Sequence, residues 1–239
     1  MLPRVLEPEV MDTADDARDY DAMDHSTVNL LFAAEFLEVW DGKCPILDVG
    51  TGTAQIPVEL CKLHLSLADA ARESAPHVGS SIWGEIHITA IDLADHMLAI
   101  ARSNVERANL TSQITLEKAD AKAFAYPDGH FGAVISNSII HHIPDPSRCF
   151  AEMHRVCARD GMVFVRDLLR PPEMRTLEKI VGKYAAGANE HQRRLFVESL
   201  HAALTLEEVR RFVGELGYPP ETVQQTSDRH WTWADVRAR

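Results

Sequence analysis

Residues 46–54, Ile46-Leu47-Asp48-Val49-Gly50-Thr51-Gly52-Thr53-Ala54, decide how the rest of this 239-residue chain is read. Ile46, Leu47 and Val49 form the short apolar run of a strand buried on both faces. Gly50 and Gly52 admit backbone angles that a Cβ would forbid, and let a ligand lie against the main chain. From Ala54 to Leu63 the pattern turns helical, so the loop is expected to aim unpaired N–H groups at a nucleotide-like ligand. A tight strand-to-helix turn with no ligand would use the same glycines. The register Gly50-x-Gly52-x-Ala54, followed by Gln55, lacks the third glycine of the dinucleotide fingerprint G-x-G-x-x-G. Asp48 would also face a pyrophosphate with a carboxylate, whereas a ligand carrying an amino group would be attracted to it.

Further strands follow in order, and several end in polar residues. Ile86 to Asp92 alternates and closes on a carboxylate that can accept both hydroxyls of a ribose. Ile114 to Ala121 reads as a third strand ending in Asp120. Gly132 to Ser138 reads as a fourth, followed at once by Ile139-Ile140-His141-His142-Ile143-Pro144. A helix over Pro146 to Ala158 leads to a fifth strand, Gly161 to Asp167. Open α/β sheets bind ligands at the carboxyl ends of such strands.

This ordered set resembles the class I S-adenosylmethionine-dependent methyltransferases, in particular the small-molecule branch with a methyltransferase-11/25 type of domain. The resemblance rests on Asp48 to Thr53, Asp92-Leu93, Asp120-Ala121, Ser136-Asn137, His141 to Pro146, Arg155-Val156 and Asp160-Gly161, and covers roughly residues 20 to 170. It implies an α/β, Rossmann-like, seven-stranded and mostly parallel sheet with helices on both faces, an antiparallel C-terminal hairpin and a small helical cap. It implies S-adenosyl-L-methionine as cofactor. Gly50, Thr51 and Gly52 would pass beneath its methionine part, and Asp48 would help to hold its amino group through the loop and water. Asp92 would take the ribose hydroxyls, Leu93 and Met97 would lie against the adenine, and Asp120 and Ala121 would meet the exocyclic amine and ring edge. Asn137 would lie by the methionine moiety near the methyl group. One departure is spacing: 44 positions (92 − 48) separate the two acids, against about 20 in dinucleotide folds. Residues 64–84 read as an inserted helix or loop.

The length suits one methyltransferase domain over 1–239, and the 46% hydrophobic content supplies a core. No run is apolar enough to span a bilayer, and Met1-Leu2-Pro3-Arg4 does not open a signal peptide. The four cysteines form no C-x-x-C pair, which points to a reducing cytoplasm without a disulfide frame or zinc site. A net charge of −12 disfavours nucleic-acid partners and leaves a small-molecule substrate. The oligomeric state is left open.

Residues 1–40 read as an N-terminal helical lid segment. Residues 1–15 show poor periodicity and are expected on the surface, and residues 24–39 read as an amphipathic helix. Tyr20 and Met23 are either part of a helix start capped by Asp24 or Ser26, or a lid over the cofactor's methionine end. After the break at Arg170-Pro171-Pro172, helices over 173–186 and 189–201 form the expected cap, residues 171–204. Thr205 to Glu208 is a capping box that opens a helix running to Leu216. Residues 222–226 and 230–234 make the final hairpin. Phe196, Leu200 and Leu204 read as core.

Of the 12 histidines, only His141 and His142 directly follow the fourth strand. Adjacent residues point in different directions, so no shared metal ion is expected. Packing around the loop is the alternative to a catalytic part, in which one of the pair deprotonates a substrate hydroxyl or amine. Asp167, Arg166, Arg170 and His230 are further substrate-pocket candidates. The chemistry expected is in-line methyl transfer to O, N, S or C of a small molecule, or to a quinone- or lipid-type carbon. A nicotinamide-dependent oxidoreductase and a non-catalytic cofactor-binding regulator are the readings from other classes.

Overall fold

A computed structural model describes residues 1–7, 12–74 and 84–237. Its strands are β1 (Ile46–Val49), β2 (Ile88–Asp92), β3 (Ile114–Lys118), β4 (Phe131–Asn137), β5 (Cys157–Leu168), β6 (Val223–Gln225) and β7 (His230–Val236). They form one sheet in the order β3-β2-β1-β4-β5-β7-β6. β1 to β5 are parallel, while β7 runs antiparallel to both β5 and β6. The expected sheet and C-terminal hairpin are therefore present.

Period-two alternation divides the core between the two faces. Leu47, Val49, Val134 and Val165 point into one cluster with Phe150, Trp231 and Trp233. Ile46, Ala133, Ile135 and Phe164 point into the other with Phe32, Phe36 and Leu60. Each fully buried side chain of this size contributes about 1.5–3 kcal/mol, so β1, buried along its whole length, is firmly fixed in register. α2 (Ser26–Val39) and α3 (Gln55–Ser74) cover one face and α5 (Ser147–Val156) the other. α4 (Asp95–Arg107) follows β2. α6 (Met174–Tyr184) and α7 (Glu190–Ala202) pack through Leu177, Ile180 and Leu200 onto Leu168 at the end of β5. α8 (Leu206–Glu215) starts at the expected capping box, with Thr205 and Glu208 satisfying each other's backbone N–H. Leu200 and Leu204 are buried and Phe196 partly so, as expected of core residues.

Several boundaries differ from the sequence reading. β2 begins at Ile88 rather than Ile86. β3 stops at Lys118, so Asp120 lies in the loop beyond it. The helix after the glycine loop does not end near Leu63 but continues to Ser74, which absorbs half of the expected insertion. Residues 75–83 lie outside the described residues. α5 ends at Val156, and β5 starts at once at Cys157.

The N-terminal region is less superficial than its acid-rich sequence suggests. Residues Ala14–Asp21 form a helix, α1, capped by the Thr13 hydroxyl accepting from the Asp16 N–H. Arg4 donates to the carbonyls of Ile143, Pro144 and Ala202, tying the chain start to the loop after β4 and to the end of α7. No helix among the described residues is long and apolar enough to cross a membrane.

Candidate active site

The strand order reverses beside β1: the chain builds outward to β2 and β3, then returns to add β4 on the other side. The loops after β1 and β4 therefore diverge and leave a crevice, the usual ligand position in such sheets. Its wall is formed by Tyr20, Gly50, Gly52, Asp92, Leu93, Met97, Asp120, Ala121, Asn137 and His142. Asp48, Thr51 and His141 are buried and do not belong to its lining.

The glycine loop corrects one expectation. Its N–H groups are not free: Gly50 and Thr51 both donate to the Ile91 carbonyl at 2.9 and 2.8 Å, and Ala54 donates to Thr51. The Gly52 N–H donates to Asp92 Oδ2 at 2.8 Å. A loop already paired in this way, with a carboxylate beside it, is a poor cradle for phosphate. The glycines are needed for shape. Gly50 sits at φ +74°, where a Cβ would meet Ile139 Cδ1 at 2.4 Å, and at Gly52 (φ +55°) a Cβ would lie 3.6 Å from the Tyr20 ring.

Two buried acceptor atoms carry no hydrogen bond among the described residues: Asn137 Oδ1, in the lining of the crevice, and Asp48 Oδ2, on β1 ahead of the glycine loop. Burial pushes the Asp48 carboxyl up to about 7, only partly offset by the nearby Thr51 hydroxyl. Burial also raises Asp92, against the N–H groups of Ala94 and Gly52 that favour its charge. Tyr20, pushed up to about 12 by burial and by Asp92, stays neutral. An acidic, under-donated crevice suits a ligand that brings cationic or hydroxyl donors. Beyond β3, burial would raise Asp120, but Lys122 outweighs burial and holds it below the usual range, with Nζ 2.9 Å from Oδ1.

Beyond Asn137 the chain turns through Ser138 (φ +60°) into a 3-10 turn, Ile140–His142. The buried Asp167, at the end of β5, accepts from the Ile140 N–H and lies 2.5 Å from His141 Nδ1. Burial works against charge on His141, yet Asp167 and Glu7 outweigh it and raise its pKa. The tight turn also overturns the expectation that the two histidines diverge. Their ring centroids are 4.2 Å apart, and Glu7 Oε1 lies 3.5 Å from His141 Nε2 and 3.3 Å from His142 Nδ1.

Arg166, Arg170 and His230 are not brought to the crevice. Arg166 faces α2, bonded to Thr232 and Glu35 and lying over Phe32. Arg170 makes a paired contact to Glu208 at the start of α8. His230 bonds Ser227 and is pushed down to about 4 by burial and Arg229. Lys122, Ser138, Ile139 and Ile143 line the crevice without having been singled out in the sequence. Glu7, 134 positions from His141, carried no local signal at all.

Sheet order and site geometry define a Rossmann-like fold with a donor-hungry cofactor crevice. Residues 47–165 match the family model described as a methyltransferase domain, and the chain belongs to the class I S-adenosylmethionine-dependent methyltransferases. S-adenosylmethionine is the methyl donor of that family. The chain is 35% identical over 80 residues to the phosphatidylethanolamine N-methyltransferase of Cereibacter sphaeroides, covering 34% of this chain and 39% of that protein. It is 24% identical over 165 residues to the 27-O-demethylrifamycin SV methyltransferase of Amycolatopsis mediterranei, covering 68% and 57%. A SAM-dependent methyltransferase of Aquifex aeolicus shares the fold with a TM-score of 0.63 at 16% identity, over 94% of this chain and 98% of that one. The chain spans about half the length of the curated relatives it matches.

Proposed function

We propose that this chain transfers the methyl group of S-adenosylmethionine to a small-molecule acceptor held between the His142 wall of the crevice and the α6–α7 cap. The observation that carries this reading is the pair of unbonded acceptors, Asp48 Oδ2 and Asn137 Oδ1, beside a glycine loop whose own N–H groups are already used. That is a site for a ligand with an ammonium group, and it counts against a dinucleotide.

Bound there, the cofactor supplies a methyl group on sulfonium, already activated for in-line displacement. The chain's part is to bind, orient and exclude water. Gly50 to Gly52 form the bed, with Asp48 acting on the amino group through the loop. Asp92 holds the ribose hydroxyls, Leu93 and Met97 pack on the adenine, and Asp120 and Ala121 meet its edge. Asn137 fixes the methionine end, and Tyr20 on α1 closes over it as part of the 1–40 lid. These residues would align the acceptor's attacking atom with the activated methyl carbon, so that the new bond would form as the carbon–sulfur bond gives up its electron pair to sulfur. For a hydroxyl or amine acceptor, the proton leaves at the His141–His142 corner, oriented by Asp167.

The similarity to enzymes whose names specify an N- and an O-methylation supports the reaction class and leaves the acceptor atom open. Incubation with methyl-labelled cofactor and a fractionated metabolite extract tests the proposal. Label should appear in a small molecule with equimolar S-adenosylhomocysteine. Label confined to protein or nucleic acid would refute it.

A further inference from the structure

The corner formed by Glu7, His141 and His142 gathers one carboxylate and two imidazoles, whose ligand atoms all lie within 4.8 Å of one another. We propose that it is a binding site for a divalent metal ion of the zinc class, held by Glu7 Oε1, His141 Nε2 and His142 Nδ1. This rests on the methyl-transfer reading only for its purpose, because the site itself stands on its own geometry.

Two of the three separations among these atoms fit a shared ion. The carboxylate oxygen is 3.5 Å from one ring nitrogen and 3.3 Å from the other. Both exceed the 2.7–3.2 Å of an N–H···O hydrogen bond. Two ligands on a tetrahedral ion at about 2.0–2.2 Å stand about 3.3–3.5 Å apart, and both separations fall in that range.

The surroundings are those of a metal site as well. Asp167 engages His141 Nδ1, so Nε2 is the nitrogen that faces Glu7. A carboxylate behind a histidine in this way fixes its ring and raises its strength as a ligand. The other oxygen of Glu7 accepts from Ser199 Oγ at 3.1 Å, which aims Oε1 at the rings. The side chains of His141 and Glu7 are 4% and 6% exposed, and that of His142, which lines the crevice, 18%, so the corner is largely buried among the described residues. Two histidines and one glutamate leave a fourth position free, as in catalytic rather than structural zinc sites. Since His142 lines the crevice, that position faces the acceptor. It would take an oxygen or nitrogen of the acceptor and ease loss of its proton.

The test is equilibrium dialysis of the full chain against Zn²⁺, with metal content by mass spectrometry, and titration with Co²⁺ followed by visible absorption. Neither needs cofactor or acceptor. One ion per chain is expected, with the intense bands of tetrahedral Co²⁺. Glu7→Gln and His142→Asn should each weaken binding at least tenfold, while His87→Asn, in an exposed segment, should leave it unchanged. Circular dichroism and a thermal melt of each variant check that it is folded. Stoichiometric binding that both corner variants leave intact would overturn the proposal, as would no binding at all; the cluster would then be held together by a proton. Loss of cofactor binding by the wild type would count against the methyl-transfer reading and leave the metal result standing.

Discussion

Asp48→Asn is the most informative single change. The carboxyl is 2% exposed, its Oδ2 is unbonded, and burial pushes it from 3.8 up to about 7. About three units at 1.36 kcal/mol each correspond to roughly 4 kcal/mol, an upper figure because the protein relaxes around a buried charge. The sign follows from linkage: the folded pKa lies above the unfolded one, so the folded state holds a proton that the unfolded state releases. This contribution to stability is full below pH 4, is lost as pH rises toward 7, and is flat above it. Asp48→Asn cannot ionise and escapes the loss. The ligand-free variant should match the wild type near pH 4 and be more stable at pH 8, by up to about 4 kcal/mol. Thermal denaturation from pH 4 to 8 reads this directly. The cofactor's ammonium group should reverse the preference by holding Asp48 ionised. Wild-type affinity should then climb toward tenfold per unit between pH 5.5 and 7, with proton release seen by calorimetry in buffers of different ionisation enthalpy. The variant's affinity should be weaker and flat over that range. Parallel stability curves for the two proteins, or equal affinity at pH 7.5, would refute the assignment.

Other changes probe neighbouring parts of the site. Asp92→Ala removes the acceptor for the ribose hydroxyls and for the Gly52 N–H; at roughly 1.5–3 kcal/mol per bond to a charged group, calorimetry should show cofactor affinity falling ten- to a hundredfold. Gly50→Ala forces a Cβ against Ile139 at φ +74°. It should cost about 2–5 kcal/mol, a Tm drop of about 5–15 °C, whereas Gly187→Ala, with nothing within 4 Å, should not. Asp167→Asn keeps the shape but unfixes His141; kcat should fall roughly 10–100-fold with the cofactor Kd unchanged, and a change confined to Kd would contradict the positioning role.

Much of the crevice lining was legible because its determinants are local. Strand, glycine turn and helix are adjacent in the chain, Asp92 and Asn137 close the strands β2 and β4, and Asp120 lies two residues beyond β3. Asp92, Asp120 and Asn137 were reachable in this way, and the crevice brings them together. The pairing of the loop N–H groups with Ile91 and Asp92 was not, since it depends on how β1 and β2 register. Nor was the convergence of the two histidines. It needs a 3-10 turn, and the pull of Asp167 from β5, where the sequence suggests neither. Glu7 was hidden most completely. Arg4, bonded to carbonyls from both the post-β4 loop and α7, the Val5 N–H on His201 and Ser199 on Glu7 itself bring that segment over the site. Arg166, Arg170 and His230 misled for the opposite reason. Their positions near the end of β5 and in the hairpin are right for a pocket, but their side chains are spent on Glu35, Glu208 and Ser227.

The central claim is a sulfonium-cofactor site at the Gly50–Gly52 loop, and calorimetric titration tests it most directly. S-adenosylmethionine and S-adenosylhomocysteine should each bind one per chain, Asp92→Ala should weaken both, and NAD should give no heat. Binding of NAD, or of neither sulfur compound, would contradict it.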